Sequence, residues 1–137
     1  MADHTLTAAQ RLALARHQDR PGTAEFIASL FTDFFEQRGD RLWGEDGSIL
    51  GGIALFHGRP VTVLGHRKGR TLEEHVQYRF GMPDPEGYRK VQRLLAQAEK
   101  FRRPVITFVD TPGAYPGLEG EARGQGEAIA RTLALMS

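Results

Sequence analysis

Apolar positions recur at helical spacing in several stretches of the chain. Thr7-Ala8-Ala9-Gln10 has the spacing of a capping box, which predicts a short helix over about 7–16. Arg20-Pro21-Gly22 then breaks the chain. From Thr23, Phe26, Leu30 and Phe34 form one i, i+4 row, and Ile27, Phe31 and Phe35 form the next. The two rows together predict a helix with a broad apolar face, ending before Gly39.

The period changes at Ile49. Ile49–Phe56 reads as a strand carrying Gly51-Gly52, and His57-Gly58 as a two-residue hairpin turn. Arg59–Gly65 is the return strand, with Pro60 marking an edge or a strand start. Residues 65–85 are polar and glycine-broken, predicting mostly loop with a helical turn near 71–79. Asp84-Pro85 opens a helix whose apolar residues run from Tyr88 to Phe101. Val105–Val109 is wholly apolar, as expected of a strand covered on both faces, and a last helix is expected over about 121–137. Strands separated by a helix define an α/β chain.

Composition narrows the classes. The chain has 137 residues, one domain's length, and no solenoid repeat or linker divides it. With 18 basic and 17 acidic residues the formal charge is +1, so neither nucleic acid nor an anionic membrane is an expected partner. There is no cysteine, and the histidines at 4, 17, 57, 66 and 75 show no ligand spacing, so no metal site is expected. Neither a signal-peptide pattern nor a membrane-length apolar run is present, which makes a soluble intracellular protein the expectation.

The candidate chemistry lies in Asp110-Thr111-Pro112-Gly113-Ala114-Tyr115-Pro116-Gly117, between the apolar strand and the last helix. In α/β folds ligands meet the chain where strands end and helices begin. Glycine admits a ligand to the main chain, and proline fixes its path. The loop therefore suits the display of backbone amides to a developing oxyanion, such as a thioester or urea oxygen. Composition by itself favours a plain turn. The loop matches neither a phosphate-cradling P-loop nor a dinucleotide fingerprint. Asp110 reads as a general base or a turn-capping group. Tyr115 reads as a pocket residue or as packing on the helix after Pro85. Arg123 reads as a partner for Glu121 or Glu127, or as a solvent-facing group.

Several motifs in order carry a family resemblance. They are Gly51-Gly52-Ile53-Ala54, Gly65-His66-Arg67-Lys68-Gly69-Arg70, Phe80-Gly81-Met82-Pro83, Pro85-Glu86-Gly87-Tyr88-Arg89-Lys90, Asp110 to Gly117, Arg123-Gly124-Gln125 and Glu127-Ala128-Ile129-Ala130. Over about residues 11–137 the chain resembles the alpha subunits of the carboxyltransferase component of bacterial acetyl-CoA carboxylase. The resemblance implies a crotonase-like fold of ββα units. Residues 1–48 would form an N-terminal helical segment and 49–137 a partial carboxyltransferase domain.

The reaction implied is transfer of a carboxyl group from carboxybiotin, on the biotin carboxyl carrier protein, to acetyl-CoA. The product is malonyl-CoA, for fatty acid biosynthesis in the cytoplasm. Implied partners are a zinc-bearing beta subunit, in an alpha–beta heterotetramer, and biotin carboxylase. The Gly113 and Ala114 amides would be catalytic, and Thr111, Pro112, Tyr115, Pro116 and Gly117 would line the biotin site. Arg67, Lys68 and Arg70, three cations in four positions, read as contacts for CoA phosphates, the carrier protein or the beta subunit, or equally as a solvated loop.

Two departures stand out. Ala122 occupies a usually acidic position, and the family's later Gly-Gly-Ser-Gly-Gly-Ala loop is absent. The expectation is a truncated chain, inactive alone. Rival readings are a non-catalytic assembly module for a beta-like partner or biotin carrier, and another acyl-CoA carboxyltransferase or crotonase-type hydratase.

Overall fold

A computed structural model describes residues 6–137; residues 1–5, His4 among them, lie outside the described part. Helices α1 (Ala8–Ala15) and α2 (Thr23–Leu30) precede β1 (Thr32–Glu36), β2 (Ile49–Phe56) and β3 (Arg59–His66). Helix α3 (Leu72–Gln77), a 3-10 turn at Arg79–Gly81 and α4 (Pro85–Lys100) lead to β4 (Val105–Phe108). Helices α5 (Leu118–Ala122) and α6 (Gln125–Met136) follow. The strands form one sheet in the order β1-β2-β3-β4.

β2 and β3 are antiparallel from Ile49↔His66 to Phe56↔Arg59. The turn between them has His57 at φ 47° and Gly58 at φ 76°, the left-handed pair that a tight hairpin requires. β4 lies parallel to β3, from Thr62↔Val105 to Gly65↔Phe108, and α4 provides the crossover such a pair needs. The pleat sends Leu50, Ala54, Val61 and Val63 to one face, where they bury with Ile27 and Phe31 of the α2 end. On the opposite face Gly51 lets α4 approach, since a Cβ there would meet Leu94 and Leu64. Leu94 and Ala98 are buried in that layer. α6 docks on α4 through Gln92 Nε2, which donates to Ala128 O at 2.9 Å and Thr132 Oγ1 at 3.0 Å.

Three expectations are corrected. The helix expected to reach Gly39 ends at Leu30; Phe31 is extended, and Thr32–Glu36 pairs antiparallel with β2. Phe-, Thr- and Glu-containing sequence at i, i+4 spacing also satisfies a strand, and the open edge of β2 decides between them. The broad apolar face therefore does not form: Ile27 and Phe31 are buried, whereas Leu30 and Phe35 are exposed. β1 thus lies within residues 6–48, which are not helical throughout.

β4 is not covered on both faces. Val105 and Thr107 are exposed and Ile106 and Phe108 half-buried, because β4 is the outer strand beside β3 and one of its faces has no layer over it among the described residues. Finally, the last helix is two: Gly124 at φ 84° turns the chain left-handed between α5 and α6.

Candidate functional site

β3 and β4 end side by side, and the residues that follow them meet. Asp110 Oδ1 accepts from Lys68 Nζ at 2.6 Å and from Arg20 at 3.2 Å. The Asp110 N–H donates to His66 Nδ1 at 3.2 Å, which fixes the neutral ring with its proton on Nε2. Burial holds the His66 pKa below its ordinary value, partly offset by Asp110. Asp110 is therefore an ion-paired anchor of the loop, neither a free base nor a cap for loop amides.

These groups border a cleft of about 620 Å³ between α1, the α2 start, the β3 end and α3. It is lined by Arg16, Arg20, Arg67, Lys68 and Arg70 against Glu25, Glu74 and Asp110, which leaves it cationic. All three basic residues named from sequence meet here. Arg70 Nε pairs with Glu25 Oε1 at 2.7 Å, and Arg67 lies over the Tyr78 ring while donating to Gly47 O at 2.9 Å.

The glycine loop stands beside this cleft but not in its wall. Its amides are unequally engaged. The Gly113 N–H donates to Thr111 Oγ1 at 3.0 Å, and the Tyr115 N–H to Pro83 O at 3.0 Å. Pro112 and Pro116 have no N–H. Between them, the Ala114 N–H has no acceptor among the described residues, and the same holds for Gly117, which caps α5. Gly113 has φ 152°, a backbone that side chains rarely adopt. Thr111 Oγ1 also reaches Gly81 O at 2.6 Å and Gly113 O at 2.9 Å, so this hydroxyl is committed to the main chain. The Tyr115 ring lies against Gly117 and under the Arg79 guanidinium, 4.2 Å away, so it packs within its own loop and on the 3-10 turn.

Behind the loop lies a polar cluster that sequence reading missed. Arg123 donates to Glu86 through Nε at 2.6 Å and NH2 at 3.3 Å, and approaches Asp84 Oδ1 at 3.6 Å. This corrects the expected pairing with Glu121 or Glu127. Arg79 pairs with Asp84 at 2.6 Å. Burial raises the Asp84 pKa, against the lowering effect of Arg79 and Arg123. Gln125 Nε2 donates to Pro83 O at 2.9 Å and to Tyr115 O at 3.0 Å. Ala122 ends α5 and is exposed. Among the described residues no group of three or more His, Cys, Asp or Glu is placed to hold a metal ion.

A strand–loop–helix beside a ββα sheet is the arrangement of crotonase-fold carboxyltransferases. The beta subunit of P. aeruginosa geranyl-CoA carboxylase superposes with a TM-score of 0.64 at 22% identity, over 93% of this chain and 24% of that one. Transcarboxylase 12S superposes at 0.67 with 19% identity, over 90% of this chain and 23% of that one. The fold is crotonase-like. The chain belongs to the acetyl co-enzyme A carboxylase carboxyltransferase-like family, whose model matches residues 2–137. It is 59% identical over 132 residues to the acetyl-coenzyme A carboxylase carboxyl transferase subunit alpha of Heliobacterium modesticaldum. It is also 59% identical over 123 residues to that of Bacillus thuringiensis. Those matches take in 96% and 90% of this chain but only 39% and 38% of the relatives' length.

Proposed function

We propose that this chain belongs to the alpha half of an acetyl-CoA carboxylase carboxyltransferase and contributes the amide-bearing side of its biotin site. In the net reaction the N–C bond of carboxybiotin breaks and a C–C bond forms to the acetyl methyl carbon of acetyl-CoA. The methyl proton ends on the biotin nitrogen, and malonyl-CoA leaves. Negative charge passes through an enolate or urea oxygen, which backbone donors stabilise without a strong side-chain base. The Ala114 amide, which lies between the two prolines and, like that of Gly117, has no internal acceptor among the described residues, is the group this chain offers. Gly113 and Thr111 shape it, and Pro112, Tyr115, Pro116 and Gly117 wall it. Arg67, Lys68 and Arg70 give the adjacent cleft the charge to meet CoA phosphates or an acidic partner surface.

The observation that carries this reading is the 59% identity sustained over 132 residues with a subunit of that name. A beta subunit supplying zinc and the complementary half-site, the biotin carrier and biotin carboxylase are the proposed partners, in the cytoplasm. The 137 residues acting alone are expected to transfer no carboxyl group.

The test joins a subunit containing this chain to a beta subunit and supplies labelled carboxybiotin and acetyl-CoA. Labelled malonyl-CoA is the expected product. A stable complex that makes none would overturn the enzymatic reading in favour of an assembly module. The same assay on the 137-residue chain with beta subunit is expected to show binding without turnover.

A further inference from the structure

Gln125 is the first residue of α6, only 3% exposed, and its position is set by the helix and by the left-handed Gly124 before it. Its Nε2 donates to two carbonyls at once, Pro83 O at 2.9 Å and Tyr115 O at 3.0 Å. Its Oε1 is buried and has no partner among the described residues. Turning the amide over would aim Oε1 at both carbonyl oxygens, so the orientation is fixed by chemistry. A buried acceptor left without a partner lowers stability. The side chain is thus arranged to place its two donors, at some expense to the fold.

The two carbonyls bracket the loop. Pro83 O also takes the Tyr115 N–H, at 3.0 Å, so the segment before α4 and the loop after β4 are joined through three hydrogen bonds. On the other side of Ala114, the Gly113 N–H is held by Thr111 Oγ1, and that hydroxyl reaches Gly81 O at 2.6 Å. The Ala114 N–H is therefore the free donor between two held ones, and the carbonyl of its own peptide, Gly113 O, accepts from Thr111 Oγ1 at 2.9 Å. A peptide pinned on both sides keeps its N–H in one direction, which is the preorganisation an oxyanion donor needs.

We propose that Gln125 is a positioning residue for carboxyl transfer: by tying Tyr115 O to Pro83 O it holds the Ala114 N–H where the developing oxyanion forms. The role rests on the carboxyltransferase reading above. Gln125 acts through the loop backbone and touches no substrate.

The experiment uses the assembled alpha–beta complex with Gln125→Ala and Gln125→Glu. Gln125→Ala is expected to lower kcat by roughly 10- to 100-fold, the scale of a misplaced reacting group, with the KM for acetyl-CoA unchanged within about twofold. Gln125→Glu is expected to be similarly slow at neutral pH, because a carboxylate cannot donate. It should regain part of its activity relative to wild type as pH falls, because the protonated carboxyl has one O–H and restores one of the two bonds. Should Gln125→Ala fail to assemble, the pH recovery of Gln125→Glu decides. Amide exchange of residues 111–117 in the complex is expected to quicken in both variants at neutral pH. A wild-type kcat with only a lowered Tm, a raised KM with kcat intact, no acid recovery, or unchanged exchange would each overturn the proposal. A wild-type complex without turnover sinks the enzymatic reading instead, and the exchange measurement still decides whether Gln125 holds the loop.

Discussion

Lys68 Nζ lies 2.6 Å from Asp110 Oδ1, and this contact ties the residues after β3 to the residues after β4. Both side chains are about a quarter exposed, at 29% and 26%, so solvent screens the pair and its contribution is modest. Arg20 shares the same oxygen from across the cleft at 3.2 Å. Asp110→Asn is expected to lower stability by about 1 kcal/mol, and the loss should shrink in high salt. Denaturant midpoints at low and high ionic strength check both points.

Lys90 presents the buried counterpart. Its side chain is 1% exposed, and Nζ donates to Glu45 Oε1 at 2.6 Å, Asp46 O at 2.8 Å and Ile49 O at 2.5 Å. Burial lowers its pKa, and the Glu45 carboxylate works against that. Lys90→Met keeps the volume but strands two main-chain acceptors and a carboxylate. A loss of about 3–5 kcal/mol is expected, and urea denaturation measures it. A change below about 1 kcal/mol would show that the acceptors find other donors.

His66 gives stability a pH dependence with a defined sign. Burial depresses its folded pKa below the unfolded value near 6.5, so between the two the unfolded chain binds more protons. The contribution is present above the unfolded pKa and is lost as pH falls through it toward the lower folded value. Protonation also removes the Nδ1 acceptor from the Asp110 N–H. Stability is expected to drop on going from about pH 7.5 to about pH 5.5, more in wild type than in His66→Gln. Equal slopes in the two proteins would remove His66 as the cause.

What the sequence revealed, and what it hid, divides by the range of the interactions. Thr7 and Gln10 form the expected capping box, and Pro85 is the first residue of α4, because both signals act within one turn; Asp84 stands at the cap position, but its carboxylate pairs with Arg79 and caps no amide. The His57-Gly58 turn was legible for the same reason. Phe31–Glu36 was not, since its apolar spacing suits helix and strand alike and a partner strand some twenty residues later decides. Arg123 has acidic neighbours in sequence but pairs with Glu86 and Asp84 across the fold. Gln125 stands within a family motif, yet its partners are main-chain oxygens, which no residue type announces.

The β1–β2 pairing, the largest departure from the sequence reading, can be tested with two glycines. A Cβ on Gly52 would overlap the Phe35 carbonyl, and the obstacle is backbone of the paired strand, which cannot swing aside as a side chain could. Gly52→Ala must therefore part β1 from β2 or bend one of them, at an expected loss of about 1–3 kcal/mol. Gly126, in α6, has open space where a methyl group would stand, with no atom within 4 Å, and a right-handed backbone. There Gly→Ala removes unfolded-state freedom without a clash and should add about 0.5–1 kcal/mol. Opposite signs from the same substitution are what strand pairing at Thr32–Glu36 requires, and denaturant midpoints read them directly. Were these residues the continuation of α2, Gly52 would face no carbonyl there, and Gly52→Ala would lose its penalty.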